Sequence, residues 1–168
     1  MALREKQYTA EEFFEIAGLP ENDEKRLELD DGEIVEMAES KPINSVTAAR
    51  ISTFLNIFIM PRDLGYVTGA DGGFKLGEKQ VRQPDVAYVS KERVPKLPRR
   101  FGIAPDLAVE VVSPDEDIFK KAREYLDAGT KLVWAVYTDE KTIYVFQLDQ
   151  DGSVRSKPFD INATLDGG

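Results

Sequence analysis

The spacing of apolar residues changes period several times along the chain, and each change marks an element. Phe13, Phe14, Ile16 and Ala17 give one apolar side to a segment that opens on Thr9-Ala-Glu-Glu12 and stops at Gly18-Leu-Pro20. That opening is a capping box: the Thr9 hydroxyl and Glu12 carboxylate can satisfy amides left free in a first helical turn. A helix is expected there. Leu27 and Leu29, then Ile34 and Val35, flank Asp31-Gly32, a dipeptide that tolerates positive φ, so residues 26–37 form a hairpin. From Asn44 to Pro61, Val46, Ala49, Phe54, Leu55, Phe58 and Ile59 recur at helical spacing and predict the longest helix.

Gly65–Gly69 and Gly73–Gly77 read as short strands separated by a turn. Val86–Val89 and Leu107–Val112 are nearly continuous apolar runs, the pattern of strands covered on both faces. Asp117–Ala128 reads as a helix with Gly129 at its C-terminal cap. Two more strands, Lys131–Tyr137 and Thr142–Phe146, surround a turn at Asp139-Glu-Lys141. Residues 149–168 carry little core, and the end at Asp166-Gly-Gly168 is expected to fray. The expected fold is a single α+β domain over residues 1–168, with a mixed central β-sheet flanked by α-helices. It comprises an N-terminal helix and hairpin (8–37), a core (44–148) and a short tail.

Composition removes most catalytic chemistries. The 168 residues include no histidine and no cysteine. Disulfide frameworks, zinc sites built on Cys or His, thiol nucleophiles and Ser-His or Cys-His pairs are therefore excluded. Carboxylates, lysine, hydroxyls, backbone groups or a hard cation held by oxygen remain. The charge balance of 22 Lys+Arg against 31 Asp+Glu, net −9, argues against a non-specific nucleic-acid coat. It still allows an enzyme with one basic groove. The start, MALREKQYTAEEF, lacks the apolar region of a signal peptide, and Ile51–Met60 is broken by Ser52, Thr53 and Asn56. No membrane association is expected, and a cytoplasmic location is the default.

One carboxylate interrupts the apolar pattern. Glu110 sits inside Leu107-Ala-Val-Glu-Val-Val112, where a buried charge demands a partner, a metal or a wet cleft. Pro84-Asp85 immediately precedes the Val86 strand, so Asp85 stands at the mouth of a neighbouring strand. Two such carboxylates can share Mg²⁺ (or Mn²⁺), which binds a phosphate oxygen and acidifies water. An ammonium is needed nearby to meet the developing charge. The strand position two residues beyond Glu110 is Val112, but Lys121 on the next helix lies close to Ile118 and Tyr125, flanking the buried stripe. Lys120 is expected on the opposite, solvated side. Glu28, alternating with Leu27 and Leu29, is a fourth candidate.

Residues Lys79 to Arg100 hold seven positive and two negative charges. They read either as a phosphate-tracking wall beside Asp85, with Lys79, Arg82 and Gln83 as candidate contacts, or as a solvated loop. Trp134, Tyr137, Tyr144 and Phe146 are expected in the core rather than as base-stacking platforms.

Several pieces in this order resemble the Uma-type putative restriction endonuclease family, a branch of the PD-(D/E)XK nuclease superfamily. They are Arg26–Met37, Gln83–Val89, Pro105–Pro114, Lys121–Gly129 and Leu132–Val136, spanning residues 8–148. The resemblance implies a restriction-endonuclease-like core and a Mg²⁺-dependent phosphodiesterase site. It casts Asp85 and Glu110 as the acidic motif residues, Lys121 as a lysine moved onto the helix, and Glu28 as the early acidic position. Val112 stands in the superfamily's usual lysine slot, and Asn44 where many members carry histidine. The segment from Ser113 to Lys121 is shorter than is common. The expected activity is cleavage of DNA by a homodimer. The alternative is a catalytically weak or inactive module that binds nucleic acid or protein, and a third reading is hydrolysis of a small phosphodiester.

Overall fold

A computed structural model describes residues 6–165, so the fraying expected at Asp166–Gly168 lies outside the described residues. Helix α1 (Ala10–Ala17) begins with the expected capping box: Glu12 N–H donates to Thr9 Oγ1 and Thr9 N–H to Glu12 Oε2. Strands β1 (Leu27–Asp30) and β2 (Glu33–Glu36) form the hairpin, and Asp31 and Gly32 both take positive φ at its turn. Helix α2 (Pro42–Ile59) starts two residues earlier than the pattern predicts and runs into a 3-10 turn at Met60–Arg62.

The remaining strands are β3 (Gly65–Thr68), β4 (Phe74–Gly77), β5 (Gln80–Arg82), β6 (Val86–Ser90) and β7 (Leu107–Val111). Helix α3 (Ile118–Asp127) follows, capped by the Asp117 carboxylate and ended by Gly129 at φ +102. Strands β8 (Leu132–Tyr137), β9 (Thr142–Leu148) and β10 (Val154–Phe159) complete the described chain.

The main sheet is mixed and six-stranded, in the order β10-β9-β8-β7-β6-β3. Strands β7 and β8 are parallel, joined by the α3 crossover, and the other pairs are antiparallel. Helix α2 covers one face through Ala48, Ile51 and Leu55, which pack on Val86, Val109 and Val136. Helix α3 covers the other through Ile118, Ala122 and Tyr125, packed on Ala108, Val133 and Ala135. This is the mixed α+β architecture the pattern predicts.

Three particulars differ from the sequence expectation. Residues 65–77 do not form neighbouring strands, because β3 joins the main sheet while β4 belongs to a second, four-stranded sheet ordered β2-β1-β5-β4. Strand β5 escapes the pattern because Gln-Val-Arg offers a single apolar residue. The tail from 149 is partly a strand: β10 pairs with β9 over six residues, and Pro158 is tolerated because β10 is an edge.

Helix α2 also carries more apolar length than Ser52, Thr53 and Asn56 suggest. Thr53 Oγ1 and Asn56 Nδ2 donate back to the carbonyls of Ala49 and Ser52, which satisfies both side chains within the helix. By length and composition Pro42–Arg62 could cross a membrane, with mean hydropathy 1.3 and 11% of its apolar window buried. Its inner side is nevertheless packed on the sheet.

Candidate functional site

The alternation of β7 decides where Glu110 points. Leu107, Val109 and Val111 face α2, so Ala108 and Glu110 face α3. The α3 residues that meet Glu110 are one turn apart. Tyr125 donates its phenolic hydrogen to Glu110 Oε1 at 2.8 Å, and Lys121 Nζ lies 3.8 Å from Glu110 Oε2. The helical spacing of i and i+4 puts both groups on the buried side.

Asp85 arrives from the neighbouring strand. The β6–β7 register pairs Val86 with Val109, so one further step sets Asp85 beside Glu110. Asp85 Oδ2 accepts from Val111 N–H at 2.7 Å, and Oδ1 pairs with Arg26 Nη1 at 3.0 Å. Arg26 also donates to the Gln83 carbonyl, tying the first hairpin to this strand entrance. Glu28, fully buried on β1, accepts from Gln83 N–H at 3.0 Å and pairs with Arg82 at 2.9 Å and Lys121 at 3.5 Å. Asp85, Glu110, Lys121 and Glu28 therefore line one cleft of about 370 Å³.

Electrostatics follow from burial. Desolvation pushes the Glu110 carboxyl up to about 8, and the nearby carboxylates of Glu116, Glu28 and Asp85 add to that; the Lys121 ammonium opposes it. Burial also opposes the charge on Lys121, but Glu110, Glu28 and Glu116 outweigh it and hold the ammonium above its ordinary range. The closest partner of Lys121 is Glu116 Oε1, at 2.5 Å. Seven carboxylates and four cations line the cleft. The all-oxygen donor set and excess of negative charge suit a hard dication, of which Mg²⁺ commonly uses only one or two protein carboxylates. Among the described residues, no group of three or more acidic side chains is arranged as a ready ligand set.

The candidate phosphate contacts fare differently. Arg82 lines the cleft, where its guanidinium is buried and shared by Glu28, Glu124 and Asp30. Lys79 reaches Gln7 instead, and neither Lys79 nor Gln83 lines the cleft; Gln83 contributes backbone only. Nor does the basic stretch build a wall. Lys91 pairs with Asp63, Arg93 with Asp106 and Arg100 with Glu15.

Lys120 is a further correction. It is half exposed as expected, yet it grips both Asp30 oxygens, at 2.8 and 2.7 Å, on the cleft's rim. Asn44 is buried and accepts from the Thr138 hydroxyl at 3.1 Å. Sequence reasoning misses Arg26, Glu116 and the hydroxyl of Tyr125. For Tyr125 a signal existed: a tyrosine one turn after Lys121 on a buried stripe needs an acceptor.

A family model described as "Uma2: Putative restriction endonuclease" matches residues 10–167. Among solved structures the chain is similar to one described as a putative nuclease belonging to DUF820 from Anabaena variabilis. The two share 24% identity and a TM-score of 0.76 over 90% of this chain and 84% of that chain, a likeness of fold. No curated protein matches.

Proposed function

The chain belongs to the Uma2 family of putative restriction endonucleases, and from that membership we propose that its cleft hydrolyses phosphodiester bonds of DNA with Mg²⁺ or Mn²⁺. One observation carries the reading: a buried ammonium, Lys121, is shared by Glu28 and Glu110 in the same cleft that Asp85 lines. Asp85 and Glu110 would hold the ion. When bound, it supplies Lewis acidity toward a phosphoryl oxygen and toward water.

The chain's own groups divide the remaining work. Lys121 exchanges Glu116 for the non-bridging phosphate oxygens, where charge grows in the transition state. Glu28, anchored by Arg82 and Gln83 N–H, aims that ammonium. Tyr125 fixes the Glu110 carboxylate against the helix. Hydrolysis adds water across one P–O ester bond: its oxygen joins phosphorus, one proton ends on the departing ester oxygen, and the other leaves to solvent. Cutting both strands of a duplex calls for two clefts, which a pair of chains supplies.

Supercoiled plasmid tests the reading. Wild-type protein should nick it in millimolar Mg²⁺ or Mn²⁺ and stop in EDTA, and Asp85→Ala should be inert. Equal nicking by both proteins sinks the assignment. A second reading, a silent DNA-binding module, is favoured by one observation: Arg26 and Val111 N–H already occupy both Asp85 oxygens. It predicts DNA binding that needs no dication and survives Asp85→Ala.

A further inference from the structure

Asn44 takes no part in the cleft, yet it is only 3% exposed and one end of its amide is unpaired. It stands in the first turn of α2 and meets the residue that follows β8: its carbonyl oxygen accepts from the Thr138 hydroxyl at 3.1 Å. Among the described residues its amide nitrogen finds no acceptor. A donor withdrawn from bulk solvent without an acceptor is costly and points to a partner. What little of Asn44 is exposed opens into a cavity of about 280 Å³.

This cavity adjoins the cleft, because Ser113 and Glu116 line both. Glu116 is committed to the shared wall: its two oxygens are held by Ser113 N–H and by Lys121. The other lining groups differ in kind. Tyr137 and Pro114 supply apolar surface, and Tyr144 steadies the Tyr137 ring, at 5.6 Å between centroids and 75° between planes. Asp139 and Glu140, from the β8–β9 turn, bring exposed carboxylates, and Lys41 brings an exposed ammonium. A buried donor, exposed acceptors and an aromatic wall together complement a heterocycle that carries an amino group beside a ring acceptor. A phosphate is disfavoured here, since three carboxylates face one ammonium. The volume lies just below that of drug-sized ligand sites, so one base fits and a base pair does not.

We propose that this cavity is a base-reading subsite that takes one unpaired nucleobase, cytosine above thymine, from the nucleotide beside the phosphate in the cleft. The proposal rests on the DNA reading of the cleft and adds a substrate class to it: strands with unpaired bases are bound in preference to intact duplex. Asn44 donates to a ring acceptor of the base, and the carboxylates of the β8–β9 turn accept from its amino group. Cytosine carries that amino group where thymine carries a carbonyl oxygen, which a carboxylate repels. The Lys121 ammonium, assigned above to the phosphate, stands across the Glu116 wall, within reach of the same nucleotide. A paired base must first leave its stack, at a cost that is least in a single strand.

Heteronuclear NMR of the ¹⁵N-labelled 168-residue chain, free of metal, tests this. The side-chain amide signal of Asn44 should shift on titration with 2′-deoxycytidine. Thymidine should need roughly fivefold more nucleoside for the same shift, the low end of what one base contact discriminates. Asp139→Asn combined with Glu140→Gln, both exposed turn residues, should erase that preference while backbone signals elsewhere stay in place. A single strand of deoxycytidines should shift Asn44 at roughly tenfold lower concentration, because its phosphates reach Lys121 in the same molecule. A fully paired hairpin should leave the signal unmoved. No shift with deoxycytidine, or an equal shift with 2-deoxyribose, overturns the proposal. So does a strand that binds no better than the nucleoside, which would assign the cavity to a free nucleoside. Plasmid nicking is a separate measurement: nicking without a response at Asn44 removes the subsite and keeps the nuclease, and a response without nicking does the reverse.

Discussion

Tyr125 and Glu110 join helix to strand through a hydrogen bond of 2.8 Å, with both side chains withdrawn from solvent. Burial, then the charge of Glu110, raise the tyrosine well above its ordinary pKa, so it remains a donor at any working pH. The bond uses the one polar atom of a residue that otherwise belongs to the α3 core. Packing and site geometry are thus set by the same side chain.

Tyr125→Phe keeps the ring and deletes the donor. Glu110 then loses a buried partner, which costs about 1–3 kcal/mol. Urea denaturation at neutral pH should show that loss. Under the proposed reading, dication affinity measured by calorimetry should also weaken, because Glu110 is no longer held.

The pH dependence of stability has a definite sign. Glu110 rises from an ordinary value of 4.5 to about 8 on folding, chiefly by desolvation, so the folded state holds a proton that the unfolded state releases between those values. Its favourable contribution is complete below pH 4.5 and is lost as pH rises through about 8. The melting temperature of metal-free protein should therefore fall between pH 5 and pH 9 through this group. Glu110→Gln should flatten that decline, whereas an unchanged slope in this variant would exclude Glu110 as its source.

Adjacent lysines on α3 should respond very differently. Lys121 is buried and is the common cation of Glu28, Glu110 and Glu116. Lys121→Met leaves Glu28 and Glu116 without their shared ammonium and should destabilise by about 3–5 kcal/mol, as breaking a buried pair does. Lys120 is half exposed and pairs with Asp30 on the rim. Lys120→Met should cost no more than about 1 kcal/mol. Parallel urea titrations give the comparison directly.

That contrast also shows what a linear sequence discloses. Glu110 and Lys121 were legible because each departs from a local pattern: a charge in an apolar strand, and a lysine beside a buried helical stripe. The α2 helix, the hairpin turn and the strands of the main sheet were legible for the same reason, since period and turn chemistry are local. The partners of Arg82 are not legible, because Glu28, Asp30 and Glu124 lie 42 to 54 positions away and only folding brings them together. Strand β5 is three residues long, and β10 is a polar edge; neither needs an apolar period, so neither leaves one. Asp85 and Glu110 were pairable as carboxylates on neighbouring apolar strands, but the register that sets them side by side across β6 and β7 is a tertiary property.

Glu116 was invisible in the sequence, and its position yields the last expectation. It lies between Ser113 and Asp117, accepts from Ser113 N–H at 3.2 Å, and takes the Lys121 ammonium at 2.5 Å. A phosphate that uses Lys121 must displace it. Glu116→Gln retains the side-chain shape and an acceptor oxygen but removes one negative charge beside that ammonium. DNA affinity, followed by fluorescence anisotropy of a labelled duplex in EDTA, should tighten by roughly threefold to tenfold, equivalent to about 1 kcal/mol. The gain should vanish in Glu116→Gln combined with Lys121→Met, provided that protein still folds by circular dichroism. Weaker binding by the single variant would instead make Glu116 part of the DNA contact, and the competition between carboxylate and phosphate would have to be abandoned.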